Sequence, residues 1–165
     1  MVRPSPDRDT RTFLLQRVQP GLSGLMDGSL STLAPLFAVV IATQHPLTAF
    51  YTGLATALGA GVSMAFSEGL SDTGAETGRG KPITRGAITG GGTFMGGAFH
   101  TLPFLISDYH VAVAVAIAVV SFELLILAWL RYRFFHTSFV RSFISIALGG
   151  AIIASLSAAL GVAAS

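Results

Sequence analysis

The chain has 165 residues, 52% of them hydrophobic and only 11% charged, with a mean hydropathy of +0.68 and a formal net charge of +2. A soluble domain carries roughly 25% charged residues, so this composition indicates an integral membrane protein. The absence of cysteine excludes disulfides, thiolate metal sites and cysteine nucleophiles, and basic residues that fall in short pieces between apolar stretches give no support for nucleic-acid binding.

Residues 1–20 are polar and mixed in charge, with Pro4 and Pro6, and read as a cytoplasmic tail at the membrane surface. They hold no continuous apolar run before a small-residue cleavage site, so no cleavable signal peptide is expected. The run 12–18 suits an interfacial turn of helix leading into the first span, 21–43. Gln44-His45-Pro46 is a tight turn, and 47–70 is the second span. A polar loop, 71–82, precedes the glycine-rich third span, 83–106. After a short loop comes the fourth span, 111–130, interrupted only by Ser121 and Glu123. A basic, aromatic connector leads to the fifth, 139–164. Each reaches the roughly 20 residues needed to cross the hydrocarbon core. The expected fold is all-α: a single five-helix transmembrane domain over 21–164.

All ten Lys and Arg residues fall before span one (Arg3, Arg8, Arg11, Arg17), between spans two and three or near the start of the third (Arg79, Lys81, Arg85), or between spans four and five or near the start of the fifth (Arg131, Arg133, Arg141). With five spans they share one side of the bilayer. The bias of basic loops toward the cytoplasm then puts the N-terminus inside and the C-terminus outside, in a bacterial inner membrane. Helix packing is also legible. Gly53, Ala57, Gly61, Ala65 and Gly69 form a small-residue stripe, and Gly86/Gly90 and Gly92/Gly96 are GxxxG pairs, suited to close packing within one subunit or to a dimer seam.

Ionisable residues inside the spans are few and expensive, which makes each a candidate. Asp27 shares the first span with Ser23, Ser29, Ser31 and Pro35. Pro35 cannot donate to the carbonyl of Ser31, so Asp27 lies one turn from a freed oxygen, and these oxygens suggest a cation site. It falls near the cytoplasmic end of its span. Met64 and Glu68 share a helical face; a thioether beside carboxylates suits a borderline ion such as Fe²⁺ better than Mg²⁺ or Ca²⁺. The alternatives are core filler for Met64 and a capping or snorkelling acid for Glu68. His100 sits near the outer end of span three. Glu123 lies deep in span four, where a carboxyl without water needs a partner or a proton. These two are candidates for a proton relay or second site, or for buried packing residues. Asp72 and Glu76 read as solvated loop acids. No nucleophile–base pair, phosphate-cradling loop or HExxH occurs, and no enzyme is expected.

The stretches LMDGSLSTLAPLFAVVIAT, GAGVSMAFSEGLSD and GGGTFMGGAFHTLPFLI, continued by FELLILAWLRYRFFHTSFVRSFISIALGGA, resemble the vacuolar iron transporter family. In particular they resemble the five-helix membrane domain of bacterial membrane-bound ferritin-like iron exporters. The likeness runs over about residues 17–162. It implies a homodimer with an ion path between subunits, lined mainly by the first helices. It further implies export of Fe²⁺, sometimes Mn²⁺, from the cytoplasm against inward proton movement, with no permanently bound cofactor. By match of motif, Asp27 would be the first-helix ligand, with Met64 and Glu68 as the second-helix methionine and acid. Residues 71–82 stand where eukaryotic members carry a glutamate-rich metal-binding domain, and only a short tail stands where the exporters carry a ferritin domain. A separate ferritin-like protein is therefore an expected partner. The competing expectation is a non-transporting membrane scaffold that docks such a protein.

Overall fold

The computed structural model describes residues 8–135 and 137–165; the first seven residues of the expected tail, Arg3 among them, and His136 of the connector lie outside the described residues. Among the described residues every regular element is helical. Five long helices follow one another: α1 (Arg8–Thr43), α2 (Pro46–Ser71), α3 (Pro82–Thr101), α4 (Tyr109–Phe135) and α5 (Phe139–Ala163).

α1 is a single rod with a fault in it. Pro20 has no amide hydrogen, and its ring would press on the carbonyl of Gln16. The ladder slips by one residue just before it: Leu14–Val18 is a π turn, and the Gln19 amide donates to the Leu14 carbonyl. Pro35 lies inside the rod without ending it. The stop comes at Gln44, whose φ of 53° turns the chain back while its amide donates to the Val40 carbonyl at 2.9 Å. Pro46 then opens α2, in the first turn, where a helix needs no amide donor.

α3 is wedged between α1 and α2, and glycine makes the fit possible. A methyl group at Gly24 or Gly28 of α1 would overlap the carbonyl oxygens of Thr89 and Thr93 of α3; one at Gly90 of α3 would sit 2.5 Å from the Gly61 carbonyl of α2. The GxxxG pairs divide the work: Gly86 and Gly90 face α2, whereas Gly92 and Gly96 face α1. Both seams lie within one chain. In lipid, helices adhere through this close van der Waals contact rather than through exclusion of water.

The same contacts give the helix directions. Gly24 meets Thr89 and Gly28 meets Thr93, so α1 and α3 run parallel. Gly86 meets Ala65 and Gly90 meets Gly61, so α2 and α3 are antiparallel. Gly150 and Gly161 of α5 approach Leu30 and Ala38 of α1, again parallel. α4 runs the other way: Glu123 reaches Ser29, while Val113 joins the cluster around Leu36 and Val40. Successive helices alternate. A second cluster of Leu124, Leu127, Ala128 and Ile146, with Leu25 and Met26 against it, fills the space between α1, α4 and α5.

Among the described residues four helices are long and apolar enough to cross a membrane: Arg8–Thr43, Pro46–Ser71, Tyr109–Phe135 and Phe139–Ala163. α3, the expected third span, is shorter than the predicted 83–106, because Leu102–Leu105 tightens into a 3₁₀ turn at Pro103. Its surface is largely glycine and threonine turned toward protein: Gly86, Thr89, Gly90, Thr93, Gly96 and Gly97 are all buried. Outward apolar side chains belong instead to its neighbours, among them Phe122, Trp129, Leu156 and Leu160.

Candidate functional site

The candidate residues Asp27, Met64, Glu68, His100 and Glu123 fall in three places. The first is the open face of α1. Ser23, Asp27, Ser31 and Pro35 recur every fourth residue and so share one side of the helix. Ser23 and Ser31 are exposed, and Asp27 and Pro35 are half-buried. Among the described residues Asp27 makes no hydrogen bond or ion pair. Pro35 leaves the Ser31 carbonyl without its helical donor. A carboxylate, two hydroxyls and a freed carbonyl thus line a strip that is exposed or half-exposed among the described residues.

The second place is a clasp at the start of the α2–α3 loop. Arg85, 1% exposed, donates through Nε to Glu68 Oε1 at 2.8 Å and through Nη1 to Asp72 Oδ1 at 3.0 Å. Its Nη2 reaches the Glu68 carbonyl and the Ser71 hydroxyl, each at 3.0 Å. Arg79 adds a 2.6 Å bond to Glu68 Oε1 and a 3.2 Å bond to Asp72 Oδ2. Glu68 is therefore occupied by two guanidinium groups on one oxygen. Asp72, expected as a solvated loop acid, is drawn in instead. Partial desolvation raises its carboxyl, but the Gly74 amide, the Arg85 hydrogen bond and charge, and the Thr77 hydroxyl together hold it below the usual carboxylate range. Met64, half-buried one turn before Glu68, lies on the same side of α2. Asp27, Met64 and Glu68 are not assembled into one cage: among the described residues no three acids or histidines cluster as a metal site would require.

The third place is buried between α1, α3 and α4. His100, 1% exposed, points its Nε2 to within 2.9 Å of Glu123 Oε2. The oxygen lies off the ring N–H direction, so the approach is a close contact and not a directed hydrogen bond; among the described residues His100 Nδ1 has no hydrogen-bond partner. Glu123 Oε1 lies 2.5 Å from the Ser29 hydroxyl, which is also 2.7 Å from the Leu25 carbonyl. Ser29 is two residues from Asp27 but about 200° around the helix from it. The strip around Asp27 and the buried pair occupy opposite sides of α1.

Sequence reasoning singled out Asp27, Glu68, His100 and Glu123 but missed their partners. Arg85 was visible only as a charge near a helix end, and Ser29 as one hydroxyl among three. Acids at 68 and 72 followed by arginines at 79 and 85 were the signal for the clasp. Comparison with protein-family models, with curated proteins and with solved structures returns no match.

Proposed function

We propose that this protein exports a divalent metal ion, Fe²⁺ or Mn²⁺, from the cytoplasm by proton antiport. It would act as a homodimer of five-span subunits in a bacterial inner membrane, its N-terminus inside. One observation carries the reading: Asp27, with Ser23, Ser31 and Pro35, on a helix face that is exposed or half-exposed among the described residues. A carboxylate facing lipid costs several kcal/mol, about 2.5–3.5 on insertion scales. A second copy meeting the first along this strip would remove it from lipid and bring two sets of oxygen donors together. Such oxygen donors suit a divalent cation.

Five spans are supported by the alternating helix directions, which give α3 the same heading as α1 and α5. The shared side for basic residues is supported by two crevices. Arg17, Arg79, Lys81 and Arg85 line one, and Arg131 lines another with Gln19 and Ser23. Both gather around residues 16–26 of α1, on either side of Pro20. The resemblance to the vacuolar iron transporters adds the identity of the ion and the direction of transport.

The test is flux. In proteoliposomes with an opposing proton gradient, Fe²⁺ or Mn²⁺ accumulates with the native chain, and Asp27→Ala lowers the rate by about tenfold or more. Undiminished flux in that variant removes Asp27 from the ion path. A native chain that moves neither ion returns the scaffold reading.

A further inference from the structure

Ser29 is buried on the side of α1 away from the Asp27 strip. The hydroxyl has one hydrogen. Its oxygen nevertheless stands 2.7 Å from the Leu25 carbonyl, which can only accept, and 2.5 Å from Glu123 Oε1. With Glu123 as a carboxylate, one of those two short approaches is oxygen against oxygen with no hydrogen between. A proton on Glu123 resolves the conflict: the carboxyl donates to Ser29, and Ser29 donates to Leu25. We infer that Glu123, His100 and Ser29 form a proton-binding site, distinct from the Asp27 strip and from the Glu68 clasp.

The surroundings support an exchangeable proton here and not at Glu68. Protonating Glu68 would strip counter-charge from the buried Arg85 guanidinium, which is strongly unfavourable. Around Glu123, α1 contributes Ser29 and no charge, α3 contributes His100, and among the described residues no Lys or Arg pairs with either group. Without a proton the buried pair carries an uncompensated negative charge; with one it is neutral overall, whether the proton sits on the carboxyl or on the ring. The imidazole, 2.9 Å from Oε2 with Nδ1 unpartnered, is placed to take the proton when the carboxyl gives it up. An apolar cleft of about 340 Å³, lined by Leu25, Phe99, Phe122, Glu123 and Ile126, opens beside the pair. Phe99, Phe122 and Ile126 are exposed on the outer surface, so the cleft faces lipid. Assigning this site to antiport rests on the exporter reading; the proton itself does not.

Dicyclohexylcarbodiimide, an apolar reagent, tests this directly. It takes the proton of a carboxyl, the carboxylate oxygen adds to its central carbon, and the adduct rearranges to a stable N-acylurea with no leaving group. In detergent-solubilised full-length protein, peptide mass mapping shows one carbodiimide on Glu123 and none on Glu68, with labelling that declines as pH rises. Glu123→Gln abolishes it, and Asp27→Asn leaves it unchanged. His100→Gln lets labelling persist to higher pH, by about one unit or more, because the alternative proton acceptor is gone. In parallel, the infrared pH-difference spectrum contains a protonated-carboxyl band that Glu123→Gln removes, which reports the proton even where the reagent cannot reach. Labelling at Glu68 in place of Glu123, an unchanged pH profile in His100→Gln, or a missing infrared band overturns the proposal. These readouts need no metal and no flux. A native chain that fails to transport while Glu123 still labels defeats the exporter reading alone; transport without a proton on Glu123 defeats this one alone.

Discussion

Glu68 and Glu123 are both acids within long apolar helices, and the fold treats them in opposite ways. Glu68 is met by two arginines that hold their charge at any physiological pH, one of them sealed from solvent. Glu123 is met by an imidazole and a hydroxyl, both of which can change their proton arrangement. The first pairing is permanent and ties the end of α2 to the start of α3. The second is conditional. An acid's chemical use in a membrane therefore depends less on its depth than on whether its partner can titrate with it.

The largest test of that contrast is to remove the fixed charge. Arg85→Ala leaves Glu68 and Asp72 with Arg79 as their one remaining cation and removes several charge-assisted bonds at once, so it is expected to cost about 3 kcal/mol, read as a fall in the thermal unfolding midpoint of the detergent-solubilised protein. Arg85→Lys restores only part of it, since a single ammonium cannot span both carboxylates and the Ser71 hydroxyl. A smaller effect separates the two acids themselves. Glu68→Gln replaces charge-assisted bonds and should lose about 1.5–3 kcal/mol, whereas Glu123→Gln, which mimics the protonated form, should lose under about 1 kcal/mol. Equal losses would erase the distinction. The smallest effect is in pH. Asp72 is held below the usual carboxylate range in the folded chain, so its contribution to stability is complete above the unfolded carboxyl value. It is lost only as pH falls through the depressed one. The clasp should thus stay closed over the mild acidification in which carbodiimide labelling of Glu123 is expected to rise. Hydrogen exchange across 72–81 checks it: increased exchange in the same pH range as Glu123 labelling would merge the two behaviours.

Much of the architecture was legible from periodicity and punctuation. The turn at Gln44, the loop after Ser71 and the two glycine seams of α3 fall where the residue pattern puts them. Pro103 shortens α3 as a proline does, a turn earlier than the apolar run suggests. The candidate acids were legible too, because an ionisable side chain stands out in an apolar span. Their partners were not. Whether Ser23, Ser29 or Ser31 turns inward depends on how α1 is rotated against α3 and α4. That rotation is set by contacts such as Gly28 on Thr93, far apart in the chain. Arg85 was equally hidden: reading it as a charge near a helix end gives no sign that the end of α2 supplies three acceptors around it and Asp72, just beyond, two more.

The composition of α3 bears on how the protein is made. A segment dominated by glycine and threonine partitions weakly from the translocon into lipid, because it offers few apolar side chains to drive insertion. Its favourable surroundings are the grooves of α1 and α2, both synthesised before it. On the five-span reading, biogenesis is therefore ordered: the first two helices enter as a hairpin joined by the tight turn at Gln44, and the third is recruited by docking onto them. Widening a groove residue such as Gly24 or Gly61 would then appear first as a topology defect, with the basic connector after α4 on the wrong side of the bilayer, before it appeared as lost stability.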